Sequence, residues 1–247
     1  MPLPLAFAII ATAGVVIVVG SWVALRTAGA QPALARRLAG PREVRVGRLL
    51  DATDLPERPV RIAGRIRCRE PLESAEGERL VAFHRDVEVI AGGRWRSVER
   101  LRETRSFEIW DHDGSLSVDP ALAAEPLVSI PKVWRGDPAQ LEEPHASAVA
   151  RLAERHGPAA GARSVIRTID ITDRLLVVAS VVRGDDDRVR LEPPPGGYVI
   201  SSLALPDAMR LLGGPRRRLA AMSVIGVGIG MALVVIGIVG ALLAALV

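Results

Sequence analysis

Charge is confined to the middle of this chain. Its 32 basic and 28 acidic residues all lie between Arg26 and Arg218, and the segments on either side, 1–25 and 219–247, carry none. Crossing ~30 Å of hydrocarbon as a helix takes roughly 20 apolar residues. A bilayer core offers backbone groups no partner outside a helix or a closed barrel. Both segments are long enough, so transmembrane helices are expected at 1–25 and 219–247. Between them come a juxtamembrane segment at 26–56 and a folded domain at 57–214.

The flanks set the expected orientation. Arg26, Arg36, Arg37 and Arg42 follow the first apolar segment, and Arg210, Arg216, Arg217 and Arg218 precede the second. Basic flanks stay on the cytoplasmic side. A hairpin in the cell membrane with both termini outside and the domain in the cytoplasm follows. The competing reading is a cleaved signal peptide, for which Ala28-Gly29-Ala30 has small-residue character. A signal peptide, however, carries a basic residue before its apolar core, and none precedes this one.

Lys132 is the only lysine, and the net charge of +4 is modest and dispersed. That balance favours contact with an anionic leaflet and argues against nucleic acid as a partner. Cys68 is the single cysteine, which excludes an intrachain disulfide and suits a reducing compartment.

Inside the domain the dominant pattern is alternation. In VRIAGRIRC, residues 60–68, Val60, Ile62, Ile66 and Cys68 share one face while Arg61, Arg65 and Arg67 share the other, the signature of a half-buried strand. Residues 81–89 alternate similarly and end at Gly92-Gly93, after which Trp95 and Val98 can return as a partner strand. Phe107 and Ile109 lead through Asp111-His112-Asp113-Gly114 to Leu116 and Val118. A further hairpin runs from Leu175 to Val182 through 184–187 and back along Val189 and Leu191. A helix is expected over 142–156, opened by acids and Pro144 and closed by Gly157-Pro158. A short one is expected from Pro206 to Leu212, ended by Gly213-Gly214-Pro215. Residues 33–38 can prolong the first span. The predicted class is α+β, a mainly antiparallel β domain between two transmembrane helices.

The order of VRIAGRIRC followed by Glu70-Pro71-Leu72, of 81–89 with Gly93-Arg94-Trp95, of Asp113-Gly114 with Val118-Asp119-Pro120, and of RLEPPPGGYVISS at 190–202 resembles the GIDE or BAM ("beside a membrane") domain. That domain lies between two transmembrane helices in mitochondrial RING-type ubiquitin ligases and in many prokaryotic membrane proteins. Relatives often place a Cys and a Tyr near positions 81–84, which this sequence does not. The resemblance implies ubiquitin-ligase activity by family label. A RING, however, binds two zinc ions through about eight Cys or His in tight spacing, and this sequence has one Cys and four His, at Cys68, His84, His112, His145 and His156. A ligase reaction is therefore not expected of it, and neither a metal nor a cofactor is assigned.

Other motifs reduce to structure. Asp111-His112-Asp113-Gly114 reads first as a turn, 185–187 lacks the closing Glu of an EF-hand, and each Arg-Gly-Asp reads as a turn. The glycines Gly226, Gly228 and Gly230 lie in an apolar span and cannot cradle a phosphate there. Gly226, Gly230 and Gly237 with Ala241 instead form a small-residue stripe suited to close helix packing. Its partner is either the first span, through Ala11, Gly14 and Gly20, or the same helix in a second copy, which makes a homo-oligomer through Gly226 and Gly230. Trp95, Trp110, Trp134 and Tyr198 are the candidates for a contact surface. The expected function is a two-span membrane protein whose cytoplasmic domain is a binding or sensing module, with the lipid bilayer and a protein partner as its contacts. The alternatives are a ubiquitin ligase, a scaffold for a membrane enzyme and a sensor of the lipid surface.

Overall fold

A computed structural model describes residues 3–27 and 31–245. The side chains of Arg26, Arg216, Arg217 and Arg218, and the Ala28-Gly29-Ala30 segment, lie outside the described residues. The chain divides into two compact units, one of residues 37–208 and the other of 1–36 with 209–247.

The elements run α1 (Leu3–Thr27), α2 (Gln31–Ala39), α3 (Val46–Leu50), β1 (Val60–Arg67), β2 (Leu72–Glu73), β3 (Arg79–Ala91), β4 (Arg94–Thr104), β5 (Phe107–Asp111), β6 (Gly114–Val118), β7 (Lys132–Gly136), α4 (His145–His156), β8 (Ala159–Asp170), β9 (Arg174–Arg183), β10 (Val189–Glu192), β11 (Val199–Ser201) and α5 (Leu205–Ala245), with short 3₁₀ turns at Pro120–Leu122 and Pro138–Gln140. The class is α+β. Every pairing between these strands is antiparallel, in two sheets. One has the order β10-β9-β1-β5-β6 with β11 also on β9, and the other β2-β3-β8-β7 with β4 also on β3.

The alternating residues set the first sheet. Val60 and Ile62 of β1 face Ala179 and Val177 of β9 in register, and these pack with Ile109, Leu116, Leu175 and Ile200 into one core. The second sheet contributes Val81, Ala82 and Ile169 to it. All three hairpins read from the sequence close as tight turns. Ala91 pairs with Arg94 across Gly92-Gly93, which take φ of 59° and 72°, the left-handed pair that a two-residue type I′ turn needs and glycine supplies cheaply. Asp111 pairs with Gly114, and Arg183 with Val189.

Four features depart from the sequence reading. The helix expected from 142 begins at His145. Four strands, β2, β7, β8 and β11, had no expected counterpart, although β8 lies along nearly the whole of β3, from Leu80 opposite Asp170 to Ala91 opposite Ala159. The domain takes in much of the expected juxtamembrane segment: Val44 N–H donates to the Arg61 carbonyl at 2.9 Å, and Val46 and Leu49 of α3 join the core. Apolar burial of α3 outweighs its weak local propensity. Gly213-Gly214-Pro215 does not end a short helix, because α5 runs from Leu205 to Ala245. A proline inside a helix costs about 3 kcal/mol, and the long apolar run that follows keeps the backbone helical where it has no other partner.

In the helical unit, α1 and the later part of α5 pack antiparallel. A Cβ built on Gly14 would lie 2.7 Å from the Gly230 carbonyl, and one on Gly237 would lie 2.7 Å from Ala11 Cβ; Gly226 faces Ser21. Gly20 has no neighbour within 4 Å. The backbones thus approach at the small residues, where any side chain would hold them apart. Among the described residues one segment, Met222–Gly240, is long and apolar enough to cross a membrane, and its 19 residues span about 28 Å as a helix. The apolar part of α1, Ile9–Val23, is shorter.

Because the core cluster lies wholly within 37–208, that fragment is expected to fold alone. Its thermal unfolding should be a single sigmoidal transition with loss of near-ultraviolet circular dichroism. A fragment without a cooperative transition would show that the domain depends on the helical unit.

Candidate functional site

A groove of about 1240 Å³ is built from the segment that leads into β1. Residues 37–59 form most of its wall, and Val60, Val178, Pro194 and Pro195 complete the lining. The segment has no strand ladder of its own, so its shape depends on side chains that fasten it to the sheets.

Arg61 is the main fastener. The alternation placed it on a solvated face, but it is only 8% exposed. The stretch from Leu38 to Val44 covers that face: Arg61 Nη1 donates to the Leu38 carbonyl at 3.0 Å, and Nε and Nη2 each reach Glu43 Oε2 at 3.4 Å. A buried guanidinium demands such partners, since an unpaired one costs several kcal/mol. Asp111 holds the next stretch. Its Oδ2 accepts from Val46 N–H at 2.8 Å while its Oδ1 accepts from Asp113 N–H at 2.9 Å, so one carboxylate closes the β5–β6 turn and tethers α3 to it. Arg183 Nη2 donates to the carbonyls of Ala52 at 2.8 Å and Thr53 at 3.4 Å. Arg37 Nη1 donates to the Gly196 carbonyl at 3.0 Å, and its Nη2 to that of Gly197.

Those contacts sort the arginines of the groove into two sets. Arg37 is spent on the wall. Arg42, Arg45, Arg48 and Arg58 are exposed and line the groove, yet among the described residues they make no side-chain hydrogen bond or ion pair. Five arginines therefore face two carboxylates, Glu43 and Asp54, and Glu43 is already engaged by Arg61. An excess of guanidinium groups without partners among the described residues, beside the half-buried apolar lining of Val44, Leu55, Pro56 and Pro59, is a place where an anion is attracted and an apolar body is sheltered.

A second polar cluster lies on one face of the β3–β4–β8 sheet. His84 is paired across the sheet with Arg102 and Arg167. Arg102 Nη2 donates to Asp86 Oδ1 at 2.7 Å and Nε to Glu125 Oε1 at 2.8 Å, while Arg100 also reaches Glu125. Hydrogen bonds from Arg102 and then Arg100 hold the Glu125 carboxyl down to about 2. His84 is 5% exposed; burial first, and the Arg102 charge second, bring its pKa down to about 4. The imidazole is neutral at pH 7. Arg100, Arg102, Asp86 and Glu125 answer one another within the cluster, which marks it as a brace of the sheet. On the opposite face, Arg85 Nε donates to Glu99 Oε2 at 2.6 Å, and His145 Nε2 lies 3.2 Å from the same oxygen, joining α4 to the strands.

The aromatic candidates do not converge. Trp95 is 42% exposed at the start of β4 and stacks with Arg163, whose Cζ lies 4.2 Å from the ring centre. Trp134 sits on β7 opposite Ser164, the neighbour of Arg163 along β8, and so on the other face of that sheet. Trp110 belongs to the other sheet, with Arg67 Cζ at 5.2 Å. Tyr198 is no surface residue: it is 2% exposed, and its hydroxyl donates to the Leu191 carbonyl at 2.8 Å. Burial pushes that phenol up to about 12. Its ring completes the core beside Ile200 because β11 turns inward after Gly196-Gly197.

Arg36 is exposed in the helical unit. Among the described residues no three His, Cys, Asp or Glu side chains are grouped closely enough to hold a metal ion. The groove arginines escaped the sequence reading because it assigned basic residues after the first span to the membrane flank. The prolines at 41, 56 and 59 were the available signal of an ordered irregular wall. Compared with family models, with curated proteins and with solved structures, the chain has no match.

Proposed function

We propose that this chain is a membrane-anchored binding or sensing protein, held by α1 and α5 as a two-span hairpin with both termini outside and the domain in the cytoplasm, and with no chemistry of its own. The observation that carries the proposal is the distribution of charge: one apolar helix long enough to cross packs its glycines against a second apolar helix, and every charged residue lies between the two apolar stretches, with arginines at the inner ends of both. The resemblance to the GIDE or BAM domain supports the same reading, since that domain sits between two spans. The groove supports the binding role, because four exposed arginines line it without side-chain partners among the described residues. A ubiquitin-ligase or scaffold role draws no comparable support from the geometry.

Fractionation tests the anchoring. The full chain is expected in the membrane pellet after alkaline carbonate, while residues 37–208 expressed alone stay in the supernatant. Full chain released by carbonate would remove the two-span reading.

A further inference from the structure

We propose that the groove takes an anionic amphiphile: a phosphate or carboxylate headgroup at Arg42, Arg45, Arg48 and Arg58, and an apolar body along Val44, Leu55, Pro56 and Pro59. This deepens the binding role above and rests on it. Three observations combine. The four guanidinium groups have no side-chain partner among the described residues, while Arg37, Arg61 and Arg183 anchor the wall through the carbonyls of residues 38, 52, 53, 196 and 197 and through Glu43. The recognition groups are thus distinct from the groups that shape the site. The groove has room for far more than a bare ion. A water takes roughly 30 Å³ of liquid volume, and a four-oxygen anion only a small multiple of that, against about 1240 Å³ in the groove. Val44, Leu55, Pro56 and Pro59 line the groove half-buried, and such apolar surface gains by covering itself with hydrocarbon.

The same chemistry comes from two sources, a phospholipid of the bilayer or a soluble alkyl phosphate. The membrane source is close in the chain, since the groove begins at Arg37 and α1 ends at Thr27. The other exposed arginines of the domain supply the control. Arg94, Arg151 and Arg155 are exposed and lie outside the groove, so neutralising them changes net charge without touching it.

The test is photolabelling of the full chain in phosphatidylcholine nanodiscs, with adducts mapped by mass spectrometry. Three diazirine-bearing probes are compared: phosphatidate, phosphatidylcholine with the same tail, and octyl phosphate added from solution. Phosphatidate or octyl phosphate, or both, are expected to label residues 41–60 at least fivefold more than phosphatidylcholine, and whichever labels identifies the source. Excess inorganic phosphate should lower that yield by less than twofold. The quadruple variant R42Q/R45Q/R48Q/R58Q should fall to the phosphatidylcholine level, and R94Q/R151Q/R155Q should label like the unaltered chain. Equal labelling by all three probes, full displacement by inorganic phosphate, or equal loss in both sets of variants would each overturn the proposal. The probe comparison on the unaltered chain decides the matter even if the quadruple variant misfolds. A chain that fails to stay in the nanodisc refutes the membrane reading alone, and the octyl phosphate arm, run in detergent, then decides the groove by itself.

Discussion

Gly197→Ala is expected to destabilise the domain by roughly 4 kcal/mol, lowering its melting temperature by about 10 °C at the 2–4 °C per kcal/mol usual for a domain of this size. Two independent costs add. Gly197 holds φ of 88°, a region that costs an L-residue roughly 1–2 kcal/mol. A Cβ there would also lie 2.6 Å from the Leu122 carbonyl oxygen and 2.9 Å from Ala124 N. Those atoms are themselves committed, since Tyr198 N–H donates to Leu122 O at 3.0 Å and Ala124 N–H donates to Tyr198 O at 2.6 Å. Backbone on both sides must therefore give way, at a cost of about 1–3 kcal/mol for overpacking. The loss reaches further through Tyr198, whose place in the core depends on that crossing. Gly93→Ala separates the two terms: Gly93 has φ of 72° and nothing within 4 Å of its missing Cβ, so only the conformational cost of about 1 kcal/mol remains. Thermal melts of 37–208 carrying either change make the comparison. Equal losses would show that the close approach of 122–124 contributes nothing.

Acidification is expected to weaken the fold between pH 6.5 and 4, with His84 as the cause. Its pKa is about 4 in the folded domain against 6.5 in a free chain. Below pH 6.5 the unfolded chain takes up a proton that the folded chain refuses, so stability is full above 6.5 and declines as the pH falls toward 4. At 1.36 kcal/mol per unit, the loss approaches about 3 kcal/mol. Burial sets the direction; of the groups facing the ring, Arg102 and Arg167 also oppose its charge, while Glu125 and Asp86 favour it. Glu125 acts in a lower window, from 4.5 down to about 2, because its depressed pKa holds stability that protonation removes. Denaturant melts at pH 7, 6, 5 and 4.5 should show the decline, and His84→Gln should flatten it above pH 4.5 while leaving the steeper fall below that value. An unchanged slope in His84→Gln would place the titration elsewhere.

The legible parts of this fold are those with a local signal. Val60, Ile62 and Ile66 alternate over a core, and Gly92-Gly93 fixes a turn by backbone conformation alone, so β1 and the β3–β4 hairpin can be read residue by residue. β8 has no such signal. Arg163 and Arg167 face a charged layer that β3 and β4 supply, including Glu88, to which Arg163 Nε donates at 2.6 Å, so the strand exists only because its partners do. The same holds for Arg61, which reads as a solvated residue until the chain from Leu38 to Val44 is laid over it. The groove is the extreme case: its wall has no periodicity, and its anchors lie far away in sequence, at Asp111, Arg183, Gly196 and Gly197. Composition marked the arginines but could not divide those that build the wall from those that line it.

The most direct test of a membrane hairpin with an inward-facing domain is a pair of reporter fusions in intact cells. One places alkaline phosphatase or green fluorescent protein after Val247, and the other inserts either reporter between Asp186 and Asp187, at the tip of the β9–β10 turn. Phosphatase activity only at the end of the chain, and fluorescence only at the turn, is the predicted result. Fluorescence at both positions would place the C-terminus in the cytoplasm and contradict the hairpin.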